Sequence, residues 1–334
     1  MPLTSDITLD ASKFAPDAGP AKTYETNKGI QDLMSKTPYW FEVGAPKYRE
    51  MREKGQTAFP APRRLPEGKN IEIPSREAGR NIPCRLMLPS SGTVKGTYLF
   101  IHGGGWVLMS ESDYDLYLKF VADNCDLAVI SVGYRLAPEH PFPQGPEDCI
   151  DAAEYLVDNS QDKFGGELMF IGGDSAGGHL TAVAGLQLLK SRPNFSLRGL
   201  VYLYGAFNLA HWFPSVVNFD KTLILDHKIM GAFSNAFLPN TSVDDRTNPM
   251  VSPFYENLRG LKLPPALFMC GTEDPLLDDT VMMSAKWMMA GAEGIVKIFP
   301  GAPHGFIAFP PELVEASAQG KEFIKQFLLE KIGQ

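Results

Sequence analysis

The stretch "LMFIGGDSAGGHL", Leu168 to Leu180, decides the fold. A short apolar run leads into Gly172, Gly173, Gly177 and Gly178, which surround one hydroxyl, Ser175, and a run of helical character follows. Glycine weakens strands and helices alike, so four of them around a serine need a reason. Gly173-Asp174-Ser175-Ala176-Gly177 has the form G-x-S-x-G. In that pattern a sharp strand-to-helix turn holds the serine in a strained conformation, and small neighbours let strand and helix approach. Ser175 then projects over the sheet, at the start of a helix whose amides and dipole favour developing negative charge. The competing reading is a phosphate-binding turn. It is weakened because no G-K-[ST] follows and the spacing is not G-x-G-x-x-G.

Outward from this stretch, short apolar, β-branched runs recur: "TYLFIH" (97–102), "LAVISVGY" (127–134), "LVYLYG" (200–205), "ALFMCG" (266–271) and "GIVKIF" (294–299). Such runs suit strands buried on both faces of a parallel sheet. "IEIPS" (71–75) and "IPCRLMLPS" (82–90) alternate enough for a hairpin. Helix-like segments lie at about 112–124, 146–160, 176–191 and 278–291, with a last one from Pro311 to Lys331. The alternation predicts an α/β fold: a doubly wound, mostly parallel sheet of eight strands with helices on both faces. Residues 1–22 read as a loose arm. Residues 23–54 read as helix in two pieces, broken at Pro38 and Pro46, and a Pro-rich connector follows from Gln56 to Lys69. Residues 206–260 interrupt the rhythm with a long, aromatic-rich insertion, which we expect to join residues 23–54 as a cap over the carboxyl end of the sheet. The expected organisation is arm and cap helices over 1–55, core over 56–205, cap insertion over 206–260 and core again over 261–334.

Composition bounds the function. Hydrophobic residues make up 44% and charged residues 21%, as in an ordinary globular chain. The net charge of -8 and the lack of a basic patch argue against nucleic acid or an anionic membrane surface as partner. No run approaches the roughly 18 apolar residues of a membrane span, and "MPLTSDITLD" has no basic and apolar leader pattern. Cys84, Cys125, Cys149 and Cys270 form no C-x-x-C pair or zinc-ligand spacing, so they read as small buried thiols and no metal or organic cofactor is implied. The expected compartment is the cytoplasm.

A reactive hydroxyl needs a base, and the base needs an orienting carboxylate. "FIHGGGWVL" (100–108) follows a strand, and its glycines can turn backbone N–H groups toward a ligand; with the Ala176 amide they would form an oxyanion hole. His304, in "PGAPHGF" after the last strand, is the candidate base. "MCGTEDPLLDD" offers Glu273, Asp274, Asp278 and Asp279; Asp274 lies nearest the strand end and precedes Pro275, whereas Asp278 and Asp279 read as caps of the next helix. The order Ser, Asp, His is that of α/β-hydrolases.

The motifs "HGGGW", "YRLAPEHPFP", "GGDSAGGHL", "DPLLDD" and "PHGF" resemble, over about residues 70–330, the hormone-sensitive-lipase-like carboxylesterases of the α/β-hydrolase superfamily. The resemblance implies Ser175 as nucleophile, His304 as base, Asp274 as acid, and the amides of Gly104, Gly105 and Ala176 as oxyanion donors. It also implies that Arg135 and Glu139 support the glycine loop. The expected activity is hydrolysis of short- to medium-chain or aromatic carboxylic esters through an acyl-enzyme. An amidase or lactonase would use the same triad, and a small-ligand receptor the same pocket, although an intact triad argues for an enzyme. The expected partner is a small-molecule ester, with no stable membrane association; relatives often form homodimers, but no segment here marks such an interface. Trp106, Phe207, Trp212, Phe213 and Phe306 are candidates to wall an apolar substrate pocket, against a reading in which they are core. Where many relatives carry a proline and an aspartate after the strand 200–205, this chain has "YGAFNL" (204–209), which alters the expected pocket wall.

Overall fold

The computed structural model describes residues 8–333; residues 1–7 of the expected arm lie outside them. Eight strands form one sheet: β1 (Lys69–Pro74), β2 (Asn81–Met87), β3 (Gly96–Ile101), β4 (Leu127–Val132), β5 (Leu168–Asp174), β6 (Gly199–Leu203), β7 (Ala266–Glu273) and β8 (Gly294–Pro303). Their order is β1-β2-β4-β3-β5-β6-β7-β8. The β1–β2 and β2–β4 pairs are antiparallel and the others parallel. β3, β4 and β6 are buried along their whole length, as their unbroken apolar runs require. The chain leaves β3 toward β4 on one side, while β5 pairs with β3 on the other. That reversal opens a crevice beyond the carboxyl ends of β3 and β5, where open α/β sheets place their ligands.

Eleven α-helices are found among the described residues: α1 (Ala21–Met34), α2 (Trp40–Val43), α3 (Ala45–Glu53), α4 (Asp115–Cys125), α5 (Gln144–Phe164), α6 (Ala176–Ser191), α7 (Pro214–Val217), α8 (His227–Phe237), α9 (Val243–Arg246), α10 (Leu277–Met289) and α11 (Ala316–Ile332). Residues of α4 and α11 join one buried cluster with Tyr98, Phe100 and Phe170. Residues of α5, α6 and α10 join the cluster on the other side with Leu99, Ile171 and Tyr202. The alternation of strand side chains thus feeds two cores.

The amino-terminal helices differ from expectation. Pro46 does not break a helix; it sits in the first turn of α3, where a missing N–H removes no bond. The break is at Gly44, at φ 87°, and it makes three pieces instead of two. Trp40 of α2 stacks on Phe233 of α8, centroids 5.2 Å apart. Lys228 lies 4.5 Å from the ring centre of Tyr39. Residues 23–54 and 206–260 therefore touch.

Asp278 and Asp279 do not cap α10 either, since its N-cap is Leu276 and both lie within its first turn. They reach across to the insertion. Asp278 accepts the Ser215 N–H at 2.9 Å. Asp279 Oδ1 accepts the N–H groups of Phe207 at 2.6 Å and Asn208 at 2.9 Å, pinning the backbone where "YGAFNL" leaves β6. Asp279 is wholly buried, and burial pushes its pKa up to about 7, partly offset by those two amides.

The β5–α6 join is backbone on backbone. A methyl on Gly177 would overlap the carbonyl oxygen of Ile101 at the end of β3, and one on Gly178 would press on the Cα of Gly205. Neither neighbour is a flexible side chain. Gly177→Ala is expected to destabilise the fold by at least about 3 kcal/mol or prevent its assembly, read by urea denaturation; a loss under about 1 kcal/mol would contradict this packing. Asp279→Asn keeps an oxygen for both amides but removes the charge. The raised folded pKa means that the folded chain binds more protons than the unfolded one between about pH 4 and 7, so wild-type stability from this group falls as pH rises through that window. The melting temperature of Asp279→Asn relative to wild type should therefore climb by a few degrees, in order of magnitude, between pH 4 and 8. A difference that does not vary with pH would contradict the shift.

Candidate active site

Ser175 sits at φ 55°, ψ −120°, between β5 and α6. This region disfavours L side chains, at about 1–3 kcal/mol, and persists where the surroundings enforce it. Here they do. The Ser175 N–H donates to Leu203 O at 2.8 Å and its carbonyl accepts the His179 N–H at 3.1 Å. Its side chain is half-buried, at the amino end of α6, where helical amides lack intrahelical acceptors.

The ends of β7 and β8 supply the next two groups. Their register shifts between Gly271 and Glu273, and Gly271 lies against the Ala302 carbonyl, where no side chain fits. This bulge and close approach bring Asp274 beside His304. Asp274 Oδ1 accepts the Leu276 N–H at 2.9 Å. The His304 Nδ1–H donates to Asp274 Oδ2 at 2.8 Å, which leaves Nε2 to accept the Ser175 hydroxyl, also at 2.8 Å. The Asp274 side chain is fully buried and that of His304 nearly so. Tyr204 meets the imidazole edge-on at 4.9 Å.

The glycine loop follows β3 at the same end of the sheet. Gly104 (φ 99°) and Gly105 (φ 62°) lie in the left-handed region, and sterics demand glycine there as well: a methyl on Gly104 would overlap the Leu108 carbonyl, and one on Gly105 the ring of Phe233. The amides of Gly104 and Gly105 donate to no acceptor among the described residues. Asp174 props the loop from below. Its Oδ1 accepts the Gly103 N–H at 2.8 Å and its Oδ2 the Tyr114 hydroxyl at 2.8 Å. Burial pushes its pKa up to about 6, against the opposing pull of the Tyr114 hydroxyl and His304. The His102 Nδ1–H donates to Gly103 O at 2.9 Å; burial holds this ring down to about 4, so it is neutral and structural.

The structure thus brings Ser175, Asp274, His304, Gly104, Gly105 and Ala176 to one end of the sheet. The pocket aromatics fare differently. Phe207 and Phe306 are fully buried and have no surface to offer a ligand. Phe207 packs on Tyr202 at 5.4 Å, and Phe306 on Phe299 at 4.7 Å. Trp106 is also buried, stacked on Phe237 at 4.8 Å. Phe213 meets Phe254 edge-on at 5.3 Å. Trp212 lines an open cavity of about 780 Å³ with Phe41, Phe219, His227 and Lys228. The aromatic that lies on the glycine loop is Phe233 of the insertion, a residue not among those pocket candidates. Its i,i+4 spacing with Phe237 was the available signal. Asp174 was also given no role. Arg135 does not support the loop, because it pairs with Asp148 at 3.0 Å and Glu77 at 2.6 Å. Glu139 does so at one remove: it binds Arg49 at 2.9 Å, and the Arg49 Nε–H donates to Val107 O at 2.7 Å.

Comparison with known proteins places this geometry. A family described as "alpha/beta hydrolase fold" matches residues 98–308. The carboxylic ester hydrolase LipN of Mycobacterium tuberculosis is 31% identical over 259 residues, covering 75% of this chain and 67% of its own length. The ethyl acetate hydrolase of Pseudomonas putida is 28% identical, covering 74% of this chain and 78% of its own. Among solved structures, an esterase of Pyrobaculum calidifontis superposes with a TM-score of 0.78 at 28% identity, over 91% of this chain and 97% of its own. A family match over more than half of the chain and a relative above 30% identity agree with the strained Ser175 turn and the HGGG loop: the chain belongs to the α/β-hydrolase fold family, among its hormone-sensitive-lipase-like carboxylesterases.

Proposed function

We propose that this carboxylic ester hydrolase works through an acyl-enzyme formed on Ser175. The observation that carries the reading is the unbroken chain Asp274–His304–Ser175, with 2.8 Å on each side of the imidazole. His304 Nε2 takes the hydroxyl proton as Ser175 Oγ attacks the ester carbonyl. Negative charge then develops on the carbonyl oxygen, and the free amides of Gly104, Gly105 and Ala176 receive it. His304 returns the proton to the departing alcohol, and water repeats the sequence to release the acid. Asp274 holds the tautomer and stabilises the imidazolium without itself taking the proton. No step calls for a metal, and among the described residues no three His, Cys, Asp or Glu side chains are grouped to hold one.

The substrates are short- to medium-chain or aromatic esters. Two observations support this: Phe233, backed by the stacked ring of Trp40, lies on Gly105 and takes up the room there, and one relative is named an ethyl acetate hydrolase. Residues 23–54 and 206–260 act as the cap over the core that the eight strands and the helices flanking them form. Among the described residues no helix is long and apolar enough to cross a membrane. The four free, buried cysteines suit a reducing cytoplasm.

Ser175→Ala should retain the wild-type melting profile and lose at least about 10⁴-fold in kcat. A serine-reactive phosphonate should label Ser175 in the wild type, as read by mass spectrometry, and react about 10³-fold more slowly with His304→Ala; turnover surviving in pure Ser175→Ala would refute the assignment. With p-nitrophenyl esters from acetate to palmitate, kcat/KM should peak at eight carbons or fewer; a maximum at palmitate with activation at a lipid interface would overturn the size assignment.

A further inference from the structure

His179 takes no part in the mechanism above, yet it is fully buried one helical turn beyond Ser175. A buried imidazole must satisfy both nitrogens or leave a polar group stranded. Both are satisfied here. The Trp106 Nε1–H donates to His179 Nδ1 at 3.0 Å, and the His179 Nε2–H donates to Val251 O at 2.9 Å. Indole nitrogen is a donor only, so Nδ1 must be bare and the tautomer is determined. Burial holds this histidine down to about 4, so the neutral ring persists across the working range. The ring also meets Trp106 and Phe237 edge-on, at 5.3 and 5.8 Å.

The two partners belong to different parts of the site. Trp106 directly follows Gly104 and Gly105 and has φ 62°, a left-handed conformation that a bulky residue adopts only when held. Val251 lies in the return segment of the 206–260 insertion; its neighbour Ser252 accepts the Leu209 N–H at 2.9 Å, closing the base of that insertion. His179 itself rides on α6, whose first amide is that of Ala176. One ring therefore ties the helix that carries one free amide to the loop that carries the other two, and both to the insertion above them.

We propose that His179 is a positioning residue for the oxyanion hole: through Trp106 it sets the Gly104 and Gly105 amides against that of Ala176, and through Val251 it links this spacing to the cap. This rests on reading those three amides as the oxyanion donors. Donors of this kind act on charge that exists only in the transition state, and a displacement of about 1 Å is worth on the order of 10²-fold in rate. Loss of the tie therefore weakens transition-state binding far more than substrate binding.

His179→Phe fills the ring's space and removes both bonds; His179→Gln can supply one acceptor and one donor again. For His179→Phe, kcat should fall about 10- to 100-fold with KM changed less than about 3-fold. Affinity for a trifluoromethyl ketone, which forms a tetrahedral oxyanion on the serine, should fall in parallel, while affinity for the matching methyl carbinol stays constant. His179→Gln should recover most of both losses. Trp106→Phe, which keeps the histidine, removes the indole donor and trims the ring stacked on Phe237, should reproduce the pattern even if His179→Phe folds poorly, and the double variant should be no worse than the poorer single one. If either single variant keeps wild-type kcat and ketone affinity, whatever its melting temperature, the positioning role is overturned. If the wild type itself shows no preference for the ketone over the carbinol, the oxyanion reading fails, and this proposal with it.

Discussion

The carbonyl oxygen of Ile101, at the end of β3, rests where any side chain on Gly177 would have to be. That contact of two backbones is the constraint from which the site follows. It sets the distance between β3 and the first turn of α6, and hence between the glycine loop that leaves β3 and the serine that precedes α6. Packing this close leaves Ser175 little freedom in φ and ψ, and the 55°, −120° conformation is the outcome. The strain is confined to the turn because β5 and α6 on either side are regular and deeply buried.

Around this contact, buried polar groups do work that apolar packing cannot. Apolar contact is nondirectional, whereas a hydrogen bond fixes a distance and an angle. Asp174 holds Gly103, His179 holds Trp106, Tyr134 donates its hydroxyl to His102 O at 2.9 Å, and Arg49 holds Val107. The residues that flank Gly104 and Gly105 are thereby tied, while the two amides between them are left free. The same chemistry serves the insertion, where Asp278 and Asp279 of α10 fasten its first segment. Carboxylates taken out of water resist ionisation, and the raised pKa values of Asp174 and Asp279 express what these attachments cost.

Much of this was legible before the structure. β3 to β8 lie at the apolar, β-branched runs, because strands buried inside a parallel sheet are apolar almost throughout, and the antiparallel β1 and β2 lie at the alternating segments 71–75 and 82–90. Ser175, Asp274 and His304 were identified because each follows such a run and carries the needed chemistry. The errors share a cause as well. Phe207, Phe306 and Trp106 were candidate pocket walls because aromatic identity signals burial without saying whether a ring faces a ligand or the core. Asp278 and Asp279 looked like caps because helix starts favour short acidic residues, but their partners at Ser215, Phe207 and Asn208 are some 60 to 70 residues away in sequence. Pro46 looked like a break because proline is compatible with both interrupting and starting a helix.

What the sequence determined by itself is what local sterics and hydrophobic periodicity dictate: the alternation of strand and helix, the turn that only small residues permit, and the candidates for the groups we propose to react. Tertiary structure alone decided which groups meet. The Gly271–Glu273 bulge set Asp274 beside His304, the α8 helix laid Phe233 on Gly105, and His179 found Trp106 and Val251 more than 70 residues to either side. Such pairings depend on strand order and on close packing between distant segments, and no local pattern carries that information.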